Sequence, residues 1–288
     1  MSLLLQMKPD SGTSPANIDM DSSLRLLHAL NDQRQAAIDE CVVAEGAKDW
    51  INNAVEPRQL FNPVSDFEDV KSITCLTFAS LVNDARTVRQ LVESGADVRA
   101  TDWSGCTPLH YACASCVEAQ AKVEYMLQRD ASLVNATNYS PNAVLGSVRY
   151  ETPLYVAARH NRTDCVKTLI SDGKAPVNAT DQWGRTALHL AAEAVSADAV
   201  KVLVQHPDCC VNVTDERGRT ALHLAAEAGS AETLKVLAWH SNCDFNITDD
   251  NHHTAAERAR YLGLRDIAAL IVAKSKGNFN DHLLTCFC

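Results

Sequence analysis

The chain has 288 residues, 46% of them apolar, with 36 acidic against 26 basic side chains and a net charge of −10. That length admits two domains or one extended array with a real core. The acidic balance excludes a nucleic-acid backbone or an anionic membrane as the natural partner; it suits a basic protein, or serves only solubility.

Residues 1–21 are rich in Ser, Asp and Pro and read as a disordered segment. Their three-leucine run is too short for a signal-peptide core, and no stretch approaches the ~18 apolar residues of a membrane span. The eleven cysteines follow no disulfide framework. Reduced thiols and a cytoplasmic or nuclear location are therefore expected, and the six Asn-x-Ser/Thr sequons should stay unmodified. Residues 22–66 carry Leu24, Leu26, Leu27, Leu30, Ile38, Val42, Val43, Trp50 and Ile51, enough for helices that cap a first repeat.

From residue 67 to 272 the chain repeats itself. TDQWGRTALHLAAEAVS from Thr180 returns as TDERGRTALHLAAEAGS from Thr214. The anchoring threonine recurs at Thr74, Thr107, Thr152, Thr186, Thr220 and Thr254, which makes six units. Only the Thr107 to Thr152 step is long; a lengthened second helix around residues 119–126 and an insertion at 138–151 account for it. An insertion of that length in a regular array is either functional or merely tolerated.

One unit can be read from Thr186 to Val213. Thr186 is a good N-cap. Ala187 stands where Thr107 and Thr152 are followed by Pro, a residue favoured in a first turn. His189, at the third helical position, can bond back to the cap. Leu188, Ala191 and Ala192 make a short apolar face. Val200, Leu203 and Val204 fall at the spacing of a second helix. Gly229 in the twin supplies the turn between helices, where φ is positive; Asn83, Cys116, Asn161 and Val195 hold that place in four other units. An extended segment and a turn close the unit. Alone it cannot cover its apolar faces; stacked it can.

TPLHYA, GRTALHLAA and SGADV at a 33–34-residue period resemble the ankyrin repeat over about residues 67–272. The resemblance implies an all-α solenoid of stacked helix-turn-helix units with β-hairpin loops and a helical N-terminal cap, followed by a loose tail at 273–288. It also implies a non-catalytic module that binds a protein, expected to be a monomer without cofactor or nucleic acid. No glycine-rich phosphate loop or nucleophile elbow appears. His110, His189 and His223 share one repeat slot and are structural by position. His206-x-x-Cys209 recurs as His240-x-x-Cys243, but neighbouring repeats set such pairs on the order of 10 Å apart, too far for the ~2.0–2.3 Å bonds of zinc.

Carried over position by position, the family's concave face and hairpin tips fall on Trp103, Ser104, Arg159, His160, Gln182, Trp183, Glu193, Glu216, Arg217 and Glu227. The two tryptophans are the leading candidates, since partly exposed Trp is enriched in binding hot spots. Glu193 and Glu227 should stack in register and suit a basic or hydroxyl-bearing partner group. Two terminal motifs keep other readings open. Asp10-Ser-Gly-Thr-Ser14 is similar to the phosphodegron of the NF-κB inhibitors, with its second serine one residue too close. Cys286-Phe-Cys288 resembles the doubly prenylated ending of small GTPases. They suggest a cytoplasmic retention factor or a lipid-anchored regulatory subunit.

Overall fold

The residue that organises three of the six units is the histidine three positions after the threonine. Thr107, Thr186 and Thr220 precede their helices with extended backbone, φ −85°, −91° and −88°. Their amide N–H groups donate to Nδ1 of His110, His189 and His223 at 3.1, 3.1 and 3.2 Å. A nitrogen that accepts an N–H carries no proton, so the proton of each ring sits on Nε2. Nε2 in turn donates to a carbonyl of the following repeat: Glu151 at 3.0 Å, Arg219 at 3.1 Å and His253 at 3.1 Å. One buried ring thus caps its own helix and staples the next unit.

The computed structural model describes residues 25–26, 28–30, 32, 35–43, 51–52, 74–102, 104–138 and 150–276. After α1 (Gln35–Val43) come six helix pairs. They are α2 (Cys75–Val82) with α3 (Ala85–Glu93), α4 (Pro108–Ala114) with α5 (Ala119–Arg129), and α6 (Pro153–Arg159) with α7 (Thr163–Ser171). Then come α8 (Ala187–Glu193) with α9 (Ala197–Val204), α10 (Ala221–Glu227) with α11 (Ala231–Trp239), and α12 (Ala255–Tyr261) with α13 (Arg265–Ser275). Successive first helices pack on one another, as do successive second helices, which makes a two-layer solenoid. Leu76, Leu109, Leu154, Leu188 and Leu222 line the seam between repeats, each at most 3% exposed. The alanines that come after them are fully buried and let the helices approach closely.

The loops between pairs close as tight turns, with no strand among the described residues and a single bridge between Thr248 and Thr254. An aspartate explains why. Oδ1 of Asp181 accepts the amides of Trp183 and Arg185, both at 2.9 Å; Asp102, Asp215 and Asp249 repeat the pattern. The carboxylate takes donors that a longer ladder would have used. Asn138 and Glu151 close the base of the insertion in the same manner, Asn138 N–H donating to the Glu151 carbonyl at 3.1 Å. The stack therefore passes the insertion undisturbed. The lengthened second helix is α5, continued by a 3-10 turn at Ala131–Asn135.

Described residues before Thr74 touch the first unit through a side-chain clasp. The Asn52 side chain accepts from Asp97 N–H at 2.7 Å and donates to the Gly95 carbonyl at 3.1 Å. Asn178 and Asn212 make the same clasp on the units after them. Asn83 also donates to the Leu30 carbonyl at 3.2 Å, as Ser115 does to Leu81 at 2.7 Å.

The turn between helices corrects one expectation. Asn161, Val195, Gly229 and Gly263 are left-handed, φ 54°, 59°, 69° and 80°. Asn83 is extended at φ −98°, and in the next unit Glu118, not Cys116, is left-handed. In those two units a lysine intervenes. Lys122 is fully buried, and its ammonium donates to the carbonyls of Ser80 and Asn83 at 2.8 and 2.9 Å and to Ser115 Oγ at 2.7 Å. It satisfies the C-terminal carbonyls of α2 that a left-handed step would otherwise arrange; burial pushes its pKa down to about 8.

Val195 is a half-exposed β-branched residue in the left-handed region, a conformation that costs roughly 1–2 kcal/mol. Val195→Gly is expected to raise stability by about 1 kcal/mol, after the entropic penalty of glycine. Gly229→Val, in the twin, should lower it by at least as much; urea unfolding of both variants checks this, and unchanged midpoints would refute it. The histidines predict acid lability. Burial pulls His110, His189 and His223 below the ordinary imidazole value. The folded chain keeps them neutral, while the unfolded chain protonates them below about pH 6.5. Their stabilisation is complete above that pH and is lost as pH falls toward the lowered folded values. Between pH 6.5 and 5.5, urea titrations should report uptake of more than one proton on unfolding.

Candidate functional site

The turn tips are hydrogen-bonded to one another. Glu216 N–H donates to the Trp183 carbonyl at 2.9 Å, and Asp250 N–H to the Arg217 carbonyl at 3.0 Å. Beneath the tips runs a ladder of ion pairs. The Arg185 guanidinium lies 4.6 Å from the Trp183 ring centroid. Its Nε and Nη2 meet Asp181 Oδ2 at 2.9 and 2.8 Å, and its Nη1 meets Glu193 Oε2 at 3.3 Å. One repeat on, Arg219 reaches Asp215 Oδ2 at 3.0 and 2.8 Å and Glu227 Oε2 at 3.1 Å. Arg258 then places Nε on Glu227 Oε1 at 2.7 Å. Arg159 pairs with Glu151. Burial pushes the Asp215 carboxyl up, but the Arg219 amide and guanidinium and the Arg217 amide together hold it below the usual range.

Between Trp183 and Arg219 the surface opens into a cleft of about 530 Å³. Arg159, Trp183, Arg185, Glu193, Asp215, Glu216, Arg217 and Arg219 line it. Five of the residues expected at the interaction face meet there: Arg159, Trp183, Glu193, Glu216 and Arg217. Trp183 is half-buried, and Glu216 and Arg217 are exposed. Gln182 is half-buried at the same tip without lining the cleft. His160 ends α6, exposed; partial burial and then the Arg159 and Arg162 charges lower its pKa. Ser104 belongs to its own turn, its Oγ donating to Asp102 Oδ1 at 2.7 Å.

Glu227 and Glu193, at the same place in the twin repeats, have different surroundings. Glu227 is 20% exposed and clamped by two arginines, whereas Glu193 is 53% exposed and touched by one. Arg185, Arg219 and Asp215 were not singled out in the sequence, although both twins print the signal as Asp-x-x-Gly-Arg-Thr. Trp103, the insertion from 139 to 149, Ser11, Ser14, Cys286 and Cys288 lie outside the described residues.

The other histidine and cysteine pairs are turn residues. His206 Nδ1 accepts from Asp208 N–H at 3.3 Å and His240 Nδ1 from Asn242 N–H at 3.2 Å. Cys209 and Cys243 pack half-buried against the core. Among the described residues no three His, Cys, Asp or Glu side chains gather as metal ligands, and no helix is long and apolar enough to cross a membrane. A wider cavity of about 750 Å³ lies where α3, α5 and α7 begin. Glu118 Oε2 already takes the Ala85 amide there at 2.9 Å, the place an anion would occupy.

The ladder makes the two neighbouring arginines unequal. Arg219→Ala strands the buried Asp215 carboxylate and removes one partner of Glu227, so it should cost about 2 kcal/mol. Arg217→Ala, at an exposed tip, should stay within about 0.5 kcal/mol. Urea unfolding of the two variants checks the difference; equal losses would mean that the ladder does not hold the tips.

The family model described as ankyrin repeats (3 copies) matches residues 45–138, 132–215 and 208–281. Among curated proteins, the neurogenic locus notch homolog protein 1 of Xenopus laevis and that of Xenopus tropicalis are each 32% identical to this chain over 146 residues. Each alignment covers 47% of this chain and 5% of the relative, so the chain spans a small fraction of the relatives' length. What repeats in the sequence also stacks in space, and the family model runs through nearly the whole stack: the chain belongs to the ankyrin-repeat family, whose repeats act as protein-interaction modules.

Proposed function

We propose that this chain is a non-catalytic scaffold that binds a partner protein through the cleft between Trp183 and Arg219 and the turn tips beside it. The observation that carries the reading is the cleft itself. It is an open concavity on rigid, mutually bonded tips, with a half-buried indole at one wall and exposed Glu216 and Arg217 at the rim. An aromatic anchor ringed by charged side chains is the composition of an interaction hot spot. The ion ladder holds its side chains in place before a partner arrives, which lowers the entropic cost of binding. The reading takes the array to be a monomer working in the cytoplasm or nucleus, with a protein and not a nucleic acid as its partner.

Trp183→Ala separates recognition from folding. The ring lies at a tip, so its loss should cost about 1 kcal/mol or less of stability. Hot-spot truncation costs ~2 kcal/mol or more of binding, about thirtyfold in affinity. Leu188→Ala and Leu222→Ala, at 2% and 3% exposure, should each cost roughly 2–5 kcal/mol of stability and reduce binding only through unfolding. Quantitative capture of cellular proteins on the immobilised chain, with thermal unfolding of each variant, makes the measurement. A folded Trp183→Ala chain that captures every partner at wild-type strength would overturn the assignment of this cleft.

A further inference from the structure

The twin repeats carry the same glutamate into two different surroundings. Glu227 receives two guanidinium groups: Arg219 Nη1 on one carboxylate oxygen at 3.1 Å and Arg258 Nε on the other at 2.7 Å. Arg258 comes from the following repeat, four residues after Thr254. Glu193 receives only Arg185 Nη1, at 3.3 Å. Four residues after Thr220 stands Leu224, an aliphatic side chain 2% exposed. The second guanidinium of the twin has no counterpart here, and Glu193 is left 53% exposed beside an open cleft.

We infer that the cleft is a receptor for an arginine side chain of a basic partner segment, which takes against Glu193 the place that Arg258 takes against Glu227. The inference rests on the protein-binding reading above and names the chemistry of the partner. Charge favours this occupant. The cleft's cations are largely spoken for: Arg159 closes on Glu151, Arg185 on Asp181 and Arg219 on Asp215. Among the described residues the exposed Glu216 and Arg217 have no ion pair and offset each other at the rim, which leaves Glu193 as the carboxylate with an open side. With the chain's net charge of −10, the field also draws cations. Geometry favours arginine over lysine. A planar fork can bond a carboxylate oxygen while lying against Trp183 and the neighbouring guanidinium planes, whereas an ammonium is a strongly hydrated point charge.

Fluorescence polarisation of the full chain with three labelled probes tests this. The probes are a Gly/Ser peptide carrying three spaced arginines and its lysine and glutamate counterparts. The arginine peptide should bind best, and Glu193→Gln should weaken it about tenfold. Glu232→Gln removes the same charge from the exposed face of α11 and should leave binding within about twofold. Equal binding of the lysine peptide would reduce the slot to diffuse attraction and overturn it. So would preference for the glutamate peptide, or indifference to Glu193→Gln in a chain with a wild-type unfolding midpoint. If Glu193→Gln changes nothing while Trp183→Ala still abolishes partner capture, the arginine slot falls and the interaction face stands. If neither variant changes anything, both fall.

Discussion

The stack depends on an imidazole that has no spare bonds. In three repeats Nδ1 accepts from the unit's own threonine and Nε2–H donates to the unit after it. The ring is 1–2% exposed, so neither bond competes with water. A leucine seam alone would let neighbouring units slide, because apolar contact has no direction. The imidazole supplies the direction and sets one helix pair in one register over the next. The repeat from Thr152 shows what happens without it. Tyr155 occupies the histidine slot, fully buried, with its hydroxyl unpartnered. That unit instead couples to its successor through Ser196 Oγ on the Arg159 carbonyl at 2.9 Å and through Asn161 capping Ala199.

Register of this kind is what makes a surface out of separate loops. Each tip is shaped by an aspartate bonded to its own backbone and is tied to the next tip by one amide. In the twin repeats the arginine before the cap threonine then links the turn to the end of the first helix: Arg185 joins Asp181 to Glu193, and Arg219 joins Asp215 to Glu227. Arg185 and Arg219, which face the cleft, are therefore held from two directions: the turn and the helix. The pairing of Arg159, Arg185 and Arg219 with carboxylates also explains how a cleft lined by four arginines belongs to an acidic chain.

Where the twins are identical the residues serve the stack, and where they differ the array acquires individual character. Val195 against Gly229 is a difference in backbone strain, φ 59° against 69° at unlike residues. Leu224 against Arg258 decides whether the glutamate one repeat earlier is quenched or left open. A repeat protein builds a site from such asymmetries, because a perfectly periodic surface would offer the same contact at every step.

Much of this was legible in the residues. The threonine phase, the Leu-His-x-Ala-Ala run and the helix-spaced second halves determine helix pairs that cannot be stable alone, because the physics of capping and periodicity is local. The ten face positions were implied by the family resemblance carried over along that phase, and five of them line one cleft. Other features depended on contacts between units far apart in the chain, which no local pattern records. Asn52 clasps the loop after α3 from before Thr74, and Lys122 closes the carbonyls at the end of α2, where Asn83 is not left-handed. The inequality of Glu193 and Glu227 is of the same kind. Both stand at the end of the same seven-residue helix, ALHLAAE. The sequence determined that each of the twin repeats would present a glutamate there; only the stack decided which one would meet a second arginine, because that partner is supplied by the next unit.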